Sequence, residues 1–410
     1  MVNTELDIES IRKQFPILHQ EVNGKPLIYF DNAATSQKPQ SVIDALMHYY
    51  NSDNANIHRG IHTLAERSTT AFENTRKTVA KFLNSNEVEE IIFTKGTTEG
   101  INLVASTYGR KFIGSGDEII ISNLEHHSNI VPWQILCEEK GCVLKVIPVN
   151  DQGELIMAEY DRLLSEKTKL VSVNYISNAL GTINPVEEII GKAHAVGAKV
   201  LIDAAQAAPH VRLDVQSLDC DFLAFSGHKV YGPTGVGVLY GKRTLLEAMP
   251  PYQGGGEMIK DVSFSGTTYN DIPYKFEAGT PNIGEVIALK AAIDFVEELT
   301  PQAIADHEHE LLVYANELLK EVDGFRPIGT AENKASVVSF LIDGVHPFDL
   351  GQILDAKGIA VRTGHHCAQP LMERFEIEGT VRASFSAYNT KKEVKEFVEA
   401  LKSAVKMFKA

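Results

Sequence analysis

Short apolar runs alternate with longer amphipathic stretches along most of this chain. Leu170-Val-Ser-Val173 and Val200-Leu-Ile-Asp203 are nearly continuous apolar runs, the pattern of strands covered on both faces. The pattern predicts strands at 28–30, 90–93, 118–122, 143–148, 169–174, 199–203 and 221–225. It predicts helices at 63–84, 97–110, 129–140, 157–165 and 186–196. Strands separated by helices need crossover connections, which build a mostly parallel sheet. Residues 250–282 break the rhythm with Pro250-Pro251, Gly254-Gly255-Gly256 and Pro281, and read as loop or hairpin. A helical region then spans 283–321, followed by a strand at 336–342 and a helix at 347–357. Short strands near 359–362 and 380–386 and a last helix at 391–408 complete the order. The expectation is an α/β fold with a large domain over 26–295 and a smaller α+β domain over 296–410. The N-terminal segment 1–25 is expected to pack with the smaller domain.

Composition narrows the class. The 410 residues, 44% hydrophobic and 23% charged, suit a globular chain with more than one small core and exclude disorder as its main state. No apolar run approaches the roughly 18 residues of a membrane span. The start, Met1 to Asp7, is acidic and lacks the apolar stretch of a secretory signal, so the chain reads as cytoplasmic with no membrane partner. A net charge of -15 argues against nucleic acid as a partner, because phosphate binding depends on lysine and arginine. Four cysteines, at 137, 142, 220 and 367, are too few for a disulfide framework. Cys137, Cys142 and Cys220 read as structural.

In open parallel sheets, ligands gather outside the carboxyl ends of the strands. The residues just past the predicted strands are rich in chemistry: Gly96-Thr97-Thr98-Glu99-Gly100, Glu125-His126-His127-Ser128-Asn129, Asn174 to Asn178, Asp203-Ala-Ala-Gln206 and Ser226-Gly-His228-Lys229. Asp203 closes an apolar strand, so its carboxylate is poorly hydrated and needs a cation or donors to stay charged. Taken singly, Asp203 reads equally well as a helix cap, and Lys229 as a surface lysine. Together they suit pyridoxal phosphate, which takes a lysine as a Schiff base and needs an acid at its ring nitrogen. Gly96-Thr97-Thr98 opens a helix after a strand and offers N–H groups and hydroxyls to a phosphate, although plain capping explains it locally. The chain carries neither Gly-x-Gly-x-x-Gly nor Gly-x-x-x-x-Gly-Lys-Ser/Thr, which weakens nucleotide cofactors. His365-His366-Cys367 is a poor metal site, since consecutive residues rarely aim at one ion, and no metal is expected.

Ser226-Gly-His-Lys229, Asp203-Ala-Ala-Gln206, Glu125-His-His-Ser-Asn129 and Arg362-Thr-Gly-His-His-Cys367-Ala together resemble the class V, fold-type I pyridoxal-phosphate enzymes. Their fold is aspartate aminotransferase-like. Within them the chain is similar to the group II cysteine desulfurases of the Suf type, from about Leu27 to the last helix. The resemblance implies that Lys229 binds the cofactor and moves protons, Asp203 pairs with the pyridine nitrogen, Gln206 bonds the ring oxygen and His126 stacks on the ring. It implies phosphate binding by Thr97, Thr98, Ser226 and His228, with Thr280 reaching in from a second subunit of a homodimer. Asn178, Arg382 and Arg362 would hold the carboxylate of L-cysteine, and Cys367 would carry a persulfide. His126 is a further candidate for proton transfer, while His127 receives no role. A sulfur acceptor of SufE or SufU type would take the persulfide for iron-sulfur cluster assembly. The rivals are a selenocysteine lyase or another lyase on the same cofactor, and a catalytically silent scaffold that only binds it. Cys367 argues against the first, and its presence with Lys229 and Asp203 argues against the second.

Overall fold

Seven strands form the larger sheet: β1 (Ile91–Thr94), β2 (Glu118–Ser122), β3 (Val143–Ile147), β4 (Thr168–Asn174), β5 (Lys199–Asp203), β6 (Phe222–Ser226) and β7 (Gly237–Gly241). The structure is a computed structural model and describes residues 6–409, so residues 1–5 of the N-terminal segment lie outside it. In space the strands run β1-β7-β6-β5-β4-β2-β3. β7 is antiparallel to both of its neighbours, and the other pairings are parallel. Residues of both faces, such as Leu170, Val171, Val200 and Leu201, are fully buried, which is why these strands read as continuous apolar runs.

The expected helical region at 283–321 is two helices, Ile283–Leu299 and Pro301–Leu319. They part at Thr300, whose φ is +66°, and the Thr300 hydroxyl caps the second helix by accepting from the Ala303 N–H at 3.3 Å. Apolar periodicity continues across the break, so the pattern alone did not show it, although proline at a first helical position is a start signal. The segment expected as one helix at 97–110 is regular over Thr97–Val104 and widens into a π-type turn over Ala105–Gly109. Within the irregular segment stands an exposed hairpin, Ile259–Ser263 paired with Gly266–Tyr269.

A second sheet holds β8 (Phe325–Ile328), β9 (Val337–Ile342), β10 (Arg362–Gly364) and β11 (Thr380–Ser384), ordered β8-β9-β11-β10 and antiparallel throughout. Its core includes Leu311, Phe340, Phe385, Phe397 and Leu401. Phe30 belongs to this core, meeting Phe385 edge-on at 5.0 Å and Phe397 at 5.6 Å. The strand Ile28–Tyr29 pairs with Ile359–Ala360, so residues 28–30 sit with the smaller core although their number falls in the expected larger domain. The N-terminal segment spans both cores. Phe15 packs on Tyr388 at 4.6 Å, Phe295 at 5.5 Å and Tyr231 at 6.1 Å in the larger cluster, while Arg12 pairs with Glu393 of the last helix at 2.9 Å.

Candidate active site

The carboxyl edge of the larger sheet faces the β10–β11 side of the smaller one, and one cavity lies between them. Thr97, Thr98, His126, Asn178, Asp203, Gln206, Ser226, His228, Lys229, Arg362, Cys367 and Arg382 all line it. Thr280 does not. It is exposed and lines a separate depression with Lys95, Glu99 and Asn282.

At one end the helix Thr97–Val104 starts just past β1, with Thr97 and Thr98 of its first turn at the cavity wall. The Thr97 N–H donates to Ser226 Oγ at 2.9 Å, and the two hydroxyls also bond at 2.9 Å, which ties the ends of β1 and β6 together. Gly237 makes this approach possible, since a Cβ there would lie 2.4 Å from the Gly96 Cα. The His228 carbonyl, one peptide before Lys229, accepts from the Ser36 N–H at 3.1 Å and the Lys38 ammonium at 2.9 Å. Burial pushes the Lys38 amine down to about 8 and the His228 ring down to about 4, the latter with help from Lys229.

Asp203 ends β5 with its side chain buried, accepting from the Ala205 N–H at 2.9 Å. Burial raises its pKa, and the Ala205 bond and the Lys229 charge oppose the rise. Burial pushes the Lys229 amine down to about 8, against the pull of Asp203. Gln206 donates to the Ala33 carbonyl at 2.6 Å. His126 accepts the Ser128 N–H on Nδ1 at 3.1 Å, so a neutral ring carries its proton on Nε2. Burial, then Lys229, push this ring down to about 4, which keeps it neutral near pH 7.

Behind this wall Glu125 is fully buried, with a pKa that burial pushes up to about 8. It accepts from Asn129 Nδ2 at 2.7 Å, from the Asn174 N–H at 3.1 Å and from the Ser122 hydroxyl. Asn129 in turn accepts from Trp133 Nε1 at 2.9 Å and Ser172 Oγ at 2.6 Å, so a satisfied polar network fixes the 125–129 turn.

At the other end Arg382, from β11, donates through Nη1 to the Asn178 carbonyl at 2.8 Å. Asp31, which sequence reasoning passed over, accepts from Arg382 Nη2 and from Arg362 Nε, each at 3.2 Å. Burial pushes Arg382 down to about 10. Asn178 Oδ1 and Arg382 Nε are buried with no hydrogen-bond partner among the described residues, an acceptor and a donor left for a ligand.

Cys367 is partly buried on the loop between β10 and the helix Gln369–Arg374. His366 and Cys367 both take left-handed backbone, φ 53° and 55°, which costs non-glycine residues on the order of 1 kcal/mol each. Both carbonyls are captured: Asn178 Nδ2 donates to His366 O at 2.7 Å, and the His127 N–H donates to Cys367 O at 2.8 Å. His366 is buried and bonds the Thr380 hydroxyl at 2.8 Å, whereas His365 faces solvent and its Nδ1 accepts the Cys367 N–H at 3.2 Å. His127, without a role from sequence, meets this loop. No local pattern could have shown a contact between residues so far apart in the chain.

The aminotransferase class-V family matches residues 28–397. A cysteine desulfurase of Synechococcus elongatus is 54% identical over 97% of this chain, which spans 63% of that protein's length. A probable cysteine desulfurase of Halalkalibacterium halodurans is 50% identical over 98% of the chain and 99% of its own length. Among solved structures, the cysteine desulfurase CsdA of Escherichia coli superposes with a TM-score of 0.92 at 40% identity, covering 98% of this chain and 99% of the other. From this match and its extent, the chain belongs to the aminotransferase class-V family.

Proposed function

We propose that the chain is a cysteine desulfurase that converts L-cysteine to L-alanine and keeps the sulfur as a persulfide on Cys367. The observation that carries this reading is that Cys367 and Lys229 line one cavity together with the two arginines. A lyase that simply releases its product has no use for a thiol held there at the expense of two strained backbone positions.

The family works with pyridoxal phosphate, and the residues fit that group. Lys229 would bond its aldehyde carbon, Asp203 would keep a proton on the ring nitrogen, His126 would cover the ring and Gln206 would meet the ring oxygen. Thr97, Thr98, Ser226 and His228 would take the phosphate at the helix start. When bound, this cofactor draws electrons away from the α-carbon of an attached amino acid.

The remaining work falls to side chains. Arg382 and Arg362 hold the substrate carboxylate through charge-assisted bonds, and Asn178 adds the second hydrogen of its Nδ2, the first being donated to the His366 carbonyl. Lys229 Nζ moves a proton at the substrate Cα and Cβ, and its lowered pKa suits exchange near neutral pH. His126 is a further candidate for proton transfer, passing on its Nε2 proton while Nδ1 takes one from the Ser128 hydroxyl at 2.8 Å, so that the ring stays neutral. The Cys367 Sγ, as thiolate, bonds the substrate sulfur while the Cβ–S bond breaks and its electron pair stays with the carbon, which is then protonated. L-Cysteine and a thiol become L-alanine and a persulfide, so no outside oxidant or reductant is consumed.

A homodimer belongs to this reading: Thr280 is exposed and outside the cavity of its own chain, so the phosphate role that the resemblance implies for it would be played in the site of a second copy. The persulfide requires an acceptor, of SufE or SufU type in an iron-sulfur assembly route, and a cytoplasmic setting follows. The test is alanine release from L-cysteine by wild type and Cys367→Ala under reductant, with the cofactor absorbance recorded. Activity in wild type alone, with the same spectrum in both, supports desulfuration. Equal activity in both removes Cys367 as nucleophile and makes another lyase reaction, with selenocysteine as a candidate substrate, the better reading.

A further inference from the structure

We infer that His127 is a positioning residue for Cys367, acting through its ring on the backbone just past the thiol. The inference rests on the assignment of Cys367 as sulfur-accepting group. The Gln369 N–H donates to His127 Nε2 at 3.1 Å, and the His127 N–H donates to the Cys367 carbonyl at 2.8 Å. One residue thus grips the loop on both sides of Ala368. The ring contact needs an unprotonated Nε2, which places the neutral ring's proton on Nδ1. His365 packs beside it, ring centres 5.6 Å apart, and its Nδ1 takes the Cys367 N–H at 3.2 Å.

The turn carrying His127 is itself anchored. The buried Glu125 and Asn129 on either side of it hold the polar network behind the cavity. The grip therefore refers the loop to the larger sheet, where Lys229 stands, while the strands flanking the loop belong to the smaller sheet. Transfer of sulfur needs the attacking Sγ nearly in line with the breaking Cβ–S bond, and a small error in such alignment lowers the rate without lowering affinity.

The test compares holoenzymes of wild type, His127→Leu and His127→Gln, with Cys367→Ala in parallel. His127→Leu removes the acceptor, and the glutamine amide oxygen restores one at the Nε2 position. The expected result for His127→Leu is a kcat for alanine formation roughly 10- to 100-fold lower, with KM within about twofold. Its cofactor spectrum and the spectral response to L-cysteine should match wild type, and His127→Gln should recover most of the rate. A wild-type kcat in His127→Leu, an equally slow His127→Gln, or a loss of the spectral response in both would overturn the positioning role. Wild-type activity in Cys367→Ala would instead remove the nucleophile assignment beneath it, whichever way the His127 variants behave.

Discussion

Asp31 Oδ1 stands 3.2 Å from Arg382 Nη2, and the Arg382 side chain is 2% exposed. The carboxylate sits where the chain leaves the smaller core after Phe30, and it also takes Arg362. Burial pushes the pKa of this guanidinium down to about 10 against the pull of Asp31, the carboxylate that compensates its buried charge.

Asp31→Asn should therefore cost stability. Removing one partner of a largely buried pair leaves the other charge uncompensated, and the partial exposure of Asp31 reduces the penalty to about 2 kcal/mol. A lower urea midpoint with unchanged slope is the expected outcome, and an unchanged midpoint would show that Arg382 is held by Asn178 alone.

Substituting Arg382 by lysine should act on substrate binding. A lysine keeps the charge and loses the planar fork that meets a carboxylate with two bonds. KM for L-cysteine should rise about 10-fold or more while the cofactor spectrum stays as in wild type, measured by steady-state alanine formation.

The Lys229 amine is neutral above its own pKa, so lowering that pKa to about 8 enlarges the reactive fraction near neutrality. At pH 7 about a tenth of such amines are neutral, against less than one in a thousand for an ordinary lysine. Capture of pyridoxal phosphate by the cofactor-free protein should speed up as pH rises and level off above about 8. A rate still climbing toward pH 10 would contradict the lowered value.

His126, with its ring pushed down to about 4, stays neutral across the working range. His126→Asn should lose about 100-fold in kcat, the scale of one proton-transfer group. The acid side of the pH–rate profile should keep its position in the variant. A limb near pH 6.5 that vanishes with His126 would show that the ring titrates as an ordinary histidine.

Gly237→Ala places a Cβ against the Gly96 Cα and forces the turn before Thr97 away from β7. Overpacking of this kind costs about 1–3 kcal/mol, and the displaced turn is the one proposed to meet the cofactor phosphate. Weaker retention of pyridoxal phosphate on dialysis is the expected outcome, read by absorbance.

Most strands of the larger sheet were legible because burial on both faces writes itself as an unbroken apolar run. The cavity was legible for a related reason, since Asp203, Ser226 and Asn174 end such runs and a polar residue there stands out. Asp31 was not, although it follows the strand expected at 28–30, because that strand joins the smaller core, and only this pairing brings Asp31 to the two arginines. The helix Gln369–Arg374 spans less than two turns and offers no period to detect. The role of His127 is not legible in sequence, because its partners, Cys367 and Gln369, are joined to it only by the meeting of two sheets. Thr280 carries no local signal of its own, and within one chain it lines a depression apart from the cavity.

The reversed strand β7 is also bridged where it passes the site. Standing between β1 and β6, it keeps the bodies of those strands two intervals, roughly 10 Å, apart. Yet the Thr97 N–H reaches Ser226 Oγ at 2.9 Å across its end, and only a residue without a side chain at Gly237 leaves room for that crossing. The two hydroxyls proposed to meet the cofactor phosphate are therefore joined over a strand that carries none of the reacting groups.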